Sequence, residues 1–204
     1  MKLLLAIALV LMLSTLAVAV PESSQLGPYV VSFDMNTNSQ HQLIVEQPMQ
    51  APAATNYGLE IFTDNNTKAR LMISEHKNLI DSTPGVYKQL SSMGIYFNGF
   101  NVTSLDNKTI DGKEGFLISS VPISGNANVP IDSKLFEAIY WMDSTKCPCG
   151  PVSVGTTSVD ITSSYPQDVT ENLLNSLHVV KGQATAAAAP TAATGSQDMP
   201  PAKN

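Results

Sequence analysis

The only two cysteines of the chain, Cys147 and Cys149, stand one proline apart in the segment TKCPCGP. Two thiolates with one or two histidines would suit zinc or copper. A disulfide Cys147–Cys149 needs a bent segment, which Pro148 favours, and it would rigidify a loop tip. The spacing differs from the Cys-x-x-Cys pair that lowers a thiol pKa beside a helix start. A local disulfide, a metal site and unbridged or intermolecularly bridged thiols all stay open.

The three histidines do not complete a metal site by their spacing. His41, His76 and His178 are scattered along the chain, and no sequence pattern brings them to the cysteines. His178 is predicted at the end of the last helix, where it would face the carbonyl groups of that end. Cys147 and Cys149 are therefore only weak candidates for metal ligands.

No pattern of catalytic residues is present. The sequence has no Gly-x-Ser-x-Gly, no His-Glu-x-x-His, no phosphate-binding glycine loop and no EF-hand loop. Carboxylates such as Glu60, Glu75 and Asp160 fall at alternating strand positions, which is typical of a solvated sheet face. We expect no catalytic residues and no cofactor. Because two carboxylates are enough for a glycosidase, an envelope-polymer hydrolase stays an alternative.

The first nineteen residues have the three parts of a secretory signal peptide. Met1-Lys2 is basic, 3–13 is an apolar run, and Ala17-Val18-Ala19 offers small residues for cleavage. The apolar run is marginal for a span of about 20 residues, so cleavage is favoured over a retained anchor. No second apolar run of that length follows. We expect a secreted or cell-surface protein without a membrane span after cleavage.

If the protein is secreted, three Asn-x-Thr triplets become candidate N-glycosylation sites. Asn65, Asn101 and Asn107 each begin one, and in a secreted protein each is a candidate glycan acceptor on an exposed segment. The net charge is −6, spread along the chain. A spread negative charge disfavours nucleic acid and anionic membranes as partners.

The C-terminal segment 182–204 differs from the rest of the chain. It is rich in Ala, Thr and Pro and has no hydrophobic period, so we expect it to be disordered. The expected folded domain is 26–181, a length that can bury a sizeable core.

Hydrophobic periodicity predicts strands separated by two helices. Strands are expected at 29–33, 42–46, 58–63, 69–75, 101–110, 115–121, 134–143 and 156–163, with a loop over 49–55. Asp111-Gly112 predicts a tight hairpin. The first helix should begin near Pro84 and end before Gly94, with Val86, Leu90 and Met93 facing the core.

The second helix is expected to begin at Pro166. Val169, Leu173 and Leu177 give it an apolar stripe, which Leu174 widens. Runs of antiparallel strands with two packed helices define an α+β fold with a mostly antiparallel central sheet.

Three segments resemble the PsbP-like superfamily. They are the opening GPYVVSFDM, the hairpin IDGKEGFLISS and the ending SVDITSSYPQDVTENLLNSLHVV, and together the resemblance covers 29–180. It implies a PsbP-like α/β/α sandwich and a role in binding and assembly, with no functional residue to carry over. We therefore expect a non-catalytic binding or accessory module at the cell surface, whose partner is an unidentified protein or envelope component. The alternatives are a metal-handling protein that uses the Cys-Pro-Cys loop and the envelope-polymer hydrolase.

Overall fold

The computed structural model describes residues 21–37, 39–63, 67–81, 84–123, 134–146 and 153–182. The expected signal peptide 1–19 and nearly all of the expected tail lie outside these ranges. Within them the chain is α+β, as expected, with two helices and a mostly antiparallel sheet. The strands are β1 (Glu22–Leu26), β2 (Tyr29–Phe33), β3 (Gln42–Val45), β4 (Met49–Gln50), β5 (Ala54–Phe62), β6 (Lys68–Asp81), β7 (Phe100–Ile110), β8 (Lys113–Pro122), β9 (Leu135–Trp141), β10 (Thr145–Lys146), β11 (Ser153–Ser163) and β12 (His178–Lys181). The helices are α1 (Pro84–Phe97) and α2 (Gln167–Ser176).

The large sheet runs in the order β3-β5-β6-β11-β9-β8-β7, with β4 beside β5 and β10 beside β11. The described neighbours pair antiparallel. Strand β9 lies between β8 and β11 and is buried on both faces, so it is a central strand of the large sheet. The prediction of a loop over 49–55 was wrong. Met49–Gln50 pairs with β5, which already begins at Ala54, because the long β6 offers it a partner as far as His76.

A two-residue turn joins β7 to β8, as predicted. Asp111 and Gly112 have φ of 50° and 69°, the left-handed values that a tight hairpin needs at both central positions. The hairpin brings Phe116 and Ile118 to one face of the sheet and Leu117 to the other.

One face of the large sheet is covered by α2 and by a small sheet of order β1-β2-β12. Their apolar side chains form one cluster with the large sheet, and it includes Val31 and Phe33 of β2 and Leu173 and Leu174 of α2. Leu177, just after α2, is buried as well. The stripe predicted for the second helix is therefore confirmed.

Helix α1 covers the opposite face, over β7 and β8. Among the α1 side chains that the structure describes, 88–97, only Ile95 joins the apolar cluster there, with Phe116, Ile118 and Ile139. Val86, the first residue of the predicted stripe, lies outside the described side chains. The prediction that Leu90 and Met93 face the core was wrong, since they are 58% and 49% exposed. The expected end before Gly94 was also wrong, because the helix continues to Phe97.

Two glycines give a matched test of this description. Gly115 of β8 lies against the backbone carbonyl of Ile139, and a Cβ there would stand 2.9 Å from the Cβ of Tyr140. A Cβ on Gly94 of α1 would meet nothing within 4 Å. We expect Gly115→Ala to lower the free energy of unfolding by about 2 kcal/mol through overpacking. Gly94→Ala should raise it by about 1 kcal/mol through helix propensity. Urea denaturation of both variants checks this pair, and effects of the same sign would contradict it.

Candidate functional site

The outer face of α1 exposes large apolar side chains. Leu90, Met93 and Tyr96 are each about half exposed, and Phe97 is 77% exposed. These four residues are called the α1 surface below. With Leu105 of β7 the helix forms a shallow, mostly apolar groove of about 570 Å³. Contiguous exposed apolar surface of this kind marks interaction sites in soluble proteins.

The orientation of α1 follows from the small polar residues on its inner side. Ser91 hydrogen-bonds the carboxyl group of Glu137 on β9, and Ser92 donates to the carbonyl of Lys88. The amine of Lys88 donates to Oδ1 of Asn107 on β7 at 2.6 Å. Because these residues share a stripe with Ile95, that stripe faces the sheet, and the α1 surface faces solvent.

Beneath α1 and beside it, the same sheet face carries two carboxyl groups. Asp160 on β11 stands opposite Ile139, and Glu137 stands opposite Thr162, two residues further along β11. Residues two apart on a strand face the same side, so the two carboxyl groups are diagonal neighbours. This pair is the strongest arrangement for acid–base chemistry in the described part of the chain.

Burial raises the pKa of both carboxyl groups of the pair. It raises the pKa of Asp160 to about 7, and the negative charge of Glu137 adds to the effect. A hydrogen bond from Thr162 and the charge of Arg70 act in the opposite direction. Burial likewise raises the pKa of Glu137, while Ser91 opposes the shift. Near neutral pH both the protonated and the ionised form of Asp160 are therefore populated.

Arg70 does not neutralise this pair, because Glu46 already holds it. The guanidinium donates from Nε to Oε1 and from Nη2 to Oε2 of Glu46, at 2.9 and 2.7 Å. These bonds lower the pKa of Glu46. The Glu46 carboxylate lies directly over Gly58 of β5, where a Cβ would collide with it.

His76 and Ser158 form a second polar contact on this face. The Nε2 atom of His76 lies 3.1 Å from Oγ of Ser158, and its ring centroid is 5.4 Å from that of Trp141. Burial lowers the pKa of His76, and the charge of Asp143 opposes this. A neutral histidine beside a serine has the form of a base and nucleophile. Ser158 is only 6% exposed, however, which favours a structural contact.

Several predicted polar residues lie in unexpected places. The carboxylate of Glu75 does not face solvent on an open sheet but accepts from the hydroxyls of Tyr29 and Tyr57 and from Nζ of Lys181. Asp160 is partly buried beside Glu137, so the interpretation of an open, solvated sheet face was wrong for both carboxylates. His178 does not cap a helix; it begins β12, and its Nδ1 lies 2.7 Å from Oδ1 of Asp111.

The cysteines and one glycan candidate, Asn65, lie outside the described residues, so those predictions stay as they were. Asn101 and Asn107 are both exposed on β7, the last strand of the large sheet. Both therefore have the exposure that a glycan needs, and glycan attachment stays a prediction. In the described ranges no group of three or more His, Cys, Asp or Glu could hold a metal ion.

Sequence reasoning missed the α1 surface, the Glu137–Asp160 pair and the His76–Ser158 contact. Glu137 carried a visible signal, since it is the one acidic residue in the apolar strand LFEAIYW. The other contacts join residues far apart in sequence, for which a single chain gives no signal.

No family model matches the chain, and neither a curated protein nor a solved structure is significantly similar to it. Among the described residues, no helix is long and apolar enough to cross a membrane.

Proposed function

We propose that this chain is a secreted, non-catalytic binding module with a PsbP-like α/β/α sandwich fold, and that it docks a partner protein on the α1 surface. The observation that carries the proposal is the outward orientation of Leu90, Met93, Tyr96 and Phe97. The packing of α1 and α2 on opposite faces of the large sheet supports the sandwich arrangement.

The charge and the apolar lining of the groove indicate which kind of partner segment it would bind. Helix α1 has no acidic residue in its first turn or elsewhere, and Lys88 lines the groove beside Met93 and Tyr96. A complementary segment is apolar and carries a carboxylate beside its apolar residues. Tyr96 and Phe97 are the expected anchors, because aromatic residues dominate binding energy at such interfaces.

The double variant Tyr96→Ser/Phe97→Ser tests this docking surface. Both side chains are more than half exposed, so we expect little change in folding but a loss of partner binding of at least about 30-fold, corresponding to more than 2 kcal/mol. The natural partner would be isolated from the envelope fraction by site-specific photocrosslinking from position 93, identified by mass spectrometry and titrated against each variant.

The matched control is Ile44→Ser/Val45→Ser, which removes two comparably exposed apolar side chains at the β3 edge of the sheet. The proposal requires the partner to bind wild type and this control but not the α1 variant. Equal binding to all three proteins would overturn it. If the chain crosslinked only to itself, the partner on the α1 surface would be a second copy of this chain and not another protein.

A second candidate function is the hydrolysis of an envelope glycan. The specific observation in its favour is the Glu137–Asp160 pair, in which burial raises the pKa of both carboxyl groups. A raised carboxyl pKa is what a general acid needs at neutral pH. An activity screen without turnover on any envelope glycan would remove this candidate.

A further inference from the structure

A cleft of about 400 Å³ lies at the end of the sheet where α2 begins. Its polar lining consists of five hydroxyl groups and one amide, contributed by Thr37, Ser39, Thr63, Thr67, Tyr165 and Gln40. Pro166 and Val169 supply an apolar part of the wall. The volume lies within the ordinary range of small-molecule sites, toward its lower end.

Tyr165 has an unsatisfied hydroxyl group in this wall. Its side chain is 4% exposed, and its hydroxyl is the only buried side-chain polar atom without a hydrogen-bond partner in the described residues. Thr63 is near enough to oppose the increase in the Tyr165 pKa that burial causes, but the two groups do not have hydrogen-bond geometry. The hydroxyl of Thr63 is instead directed to the carbonyl of Thr67, at 3.4 Å.

The backbone around Tyr165 is held in place. Its N–H donates to Oγ of Ser163 at 3.2 Å, and its carbonyl accepts from the hydroxyl of Thr170 at 3.3 Å. The hydroxyls of Ser163 and Thr170 also lie 2.8 Å apart. A buried, unpaired hydroxyl on a fixed backbone costs stability. A residue that costs stability in this way is characteristic of a functional site.

The charges of the described residues in and around the cleft favour an uncharged ligand. None of the described residues that line it is charged, and the negative charge of Glu22 acts on Tyr165. The first turn of α2 contains the exposed Asp168, which opposes an anion at this helix N-terminus. A cation would find no carboxylate among the described residues of the lining. The expected ligand is neutral and carries several hydroxyl groups, each able to donate and to accept a hydrogen bond.

We infer that this cleft binds one neutral sugar residue, whose hydroxyl groups pair with Gln40, Thr67 and Tyr165 while its C–H face lies on Pro166 and Val169. This site is on α2 and the β5–β6 end of the sheet, whereas the α1 surface is on the other face. Sugar binding is therefore independent of the proposed docking of a partner protein.

The test titrates the ¹⁵N-labelled full chain with the methyl glycosides of glucose, galactose and mannose. For so small a ligand we expect a Kd on the order of 1 mM for the preferred sugar, with amide shifts at Gln40, Thr67 and Val169. Tyr165→Phe should weaken binding about ten-fold, while its midpoint of urea denaturation stays the same or rises. Gln40→Ala should weaken binding to a similar degree. Tyr96→Phe, which removes an exposed hydroxyl from α1, is the matched control and should leave Kd unchanged.

Two results would overturn the inference. One is the absence of a saturable amide shift with any of the three glycosides. If inorganic phosphate shifted the same amides while the glycosides did not, the cleft would be an anion site. The other is a Tyr165→Phe variant that binds the preferred sugar as wild type does. A fall in its denaturation midpoint would show that the hydroxyl is satisfied in the free protein.

Discussion

Asp160→Asn is expected to raise the free energy of unfolding at pH 8 by about 2 to 4 kcal/mol and to leave it nearly unchanged at pH 4. Burial on β11 and the nearby carboxyl group of Glu137 raise the pKa of Asp160 to about 7, whereas an unfolded aspartate titrates near 4. Between these values the folded protein holds a proton that the unfolded chain has released. Stability therefore falls as the pH rises from about 4 to about 7, and the penalty is complete above that range.

Asparagine resembles the protonated carboxyl group in shape and cannot ionise, so it removes the penalty. The side chain of Asp160 keeps partial contact with solvent, which reduces the gain below its upper value. Urea denaturation at pH 4, 6 and 8 measures it. Asp106→Asn at an exposed position of β7 is the control, and it should change the free energy of unfolding by less than about 0.5 kcal/mol. A gain for Asp160→Asn that is equal at pH 4 and pH 8 would refute the explanation.

Local patterns predicted those parts of the fold that depend on neighbouring residues. The alternation of Tyr29, Val31 and Phe33 identified a strand with one buried side, and these three residues are buried in β2. The Asp111-Gly112 turn needed only its own two residues. The apolar stripe of α2 was unambiguous, because its opposite side carries polar residues such as Glu171 and Asn175.

Helix α1 shows where such patterns fail. It has apolar residues on more than one side, among them Leu90, Met93 and Ile95, and periodicity does not state which side meets the sheet. The side with Ser91 packs inward, because small side chains let the helix approach β7–β9 and Ser91 reaches Glu137. The same ambiguity concealed the candidate site, since residues interpreted as core are the ones that face solvent.

Polar partners distant in sequence were the other failure. Glu75 lies 46 residues from Tyr29 and 106 from Lys181, and His178 lies 67 from Asp111. Strand alternation assigns such residues to a face of a sheet. It does not say that a second sheet covers that face, which is what encloses Glu75 beneath β2 and β12.

Glu75→Ala is expected to lower the free energy of unfolding by about 3 kcal/mol. Its carboxylate accepts from the hydroxyl of Tyr29 at 2.6 Å, from that of Tyr57 at 3.1 Å and from Nζ of Lys181 at 2.7 Å. Tyr29 is only 1% exposed, so the variant deprives a buried hydroxyl of its carboxylate acceptor. Since Tyr29 belongs to β2 and Lys181 to β12, the loss should loosen the small sheet first, and hydrogen exchange at Val30 and Val180 should become faster.

The double variant Tyr29→Phe/Glu75→Ala separates the stranded hydroxyl from the loss of the carboxylate itself. In the Tyr29→Phe background the change at Glu75 should cost less than in wild type, by at least about 1 kcal/mol, because the buried hydroxyl of Tyr29 is no longer there to lose its acceptor. Equal costs in the two backgrounds would mean that Tyr29 is not coupled to Glu75.

The stability that Glu75 contributes depends on pH with the opposite sign to that of Asp160. Burial raises the pKa of Glu75, but the bonds from Lys181, Tyr29 and Tyr57 together outweigh burial and lower it. This stabilisation is therefore present above the pKa of an unfolded glutamate and is lost as the pH falls through the lowered value. The two carboxyl groups lie on opposite faces of one sheet, and the stability that each contributes should thus change with pH in opposite directions.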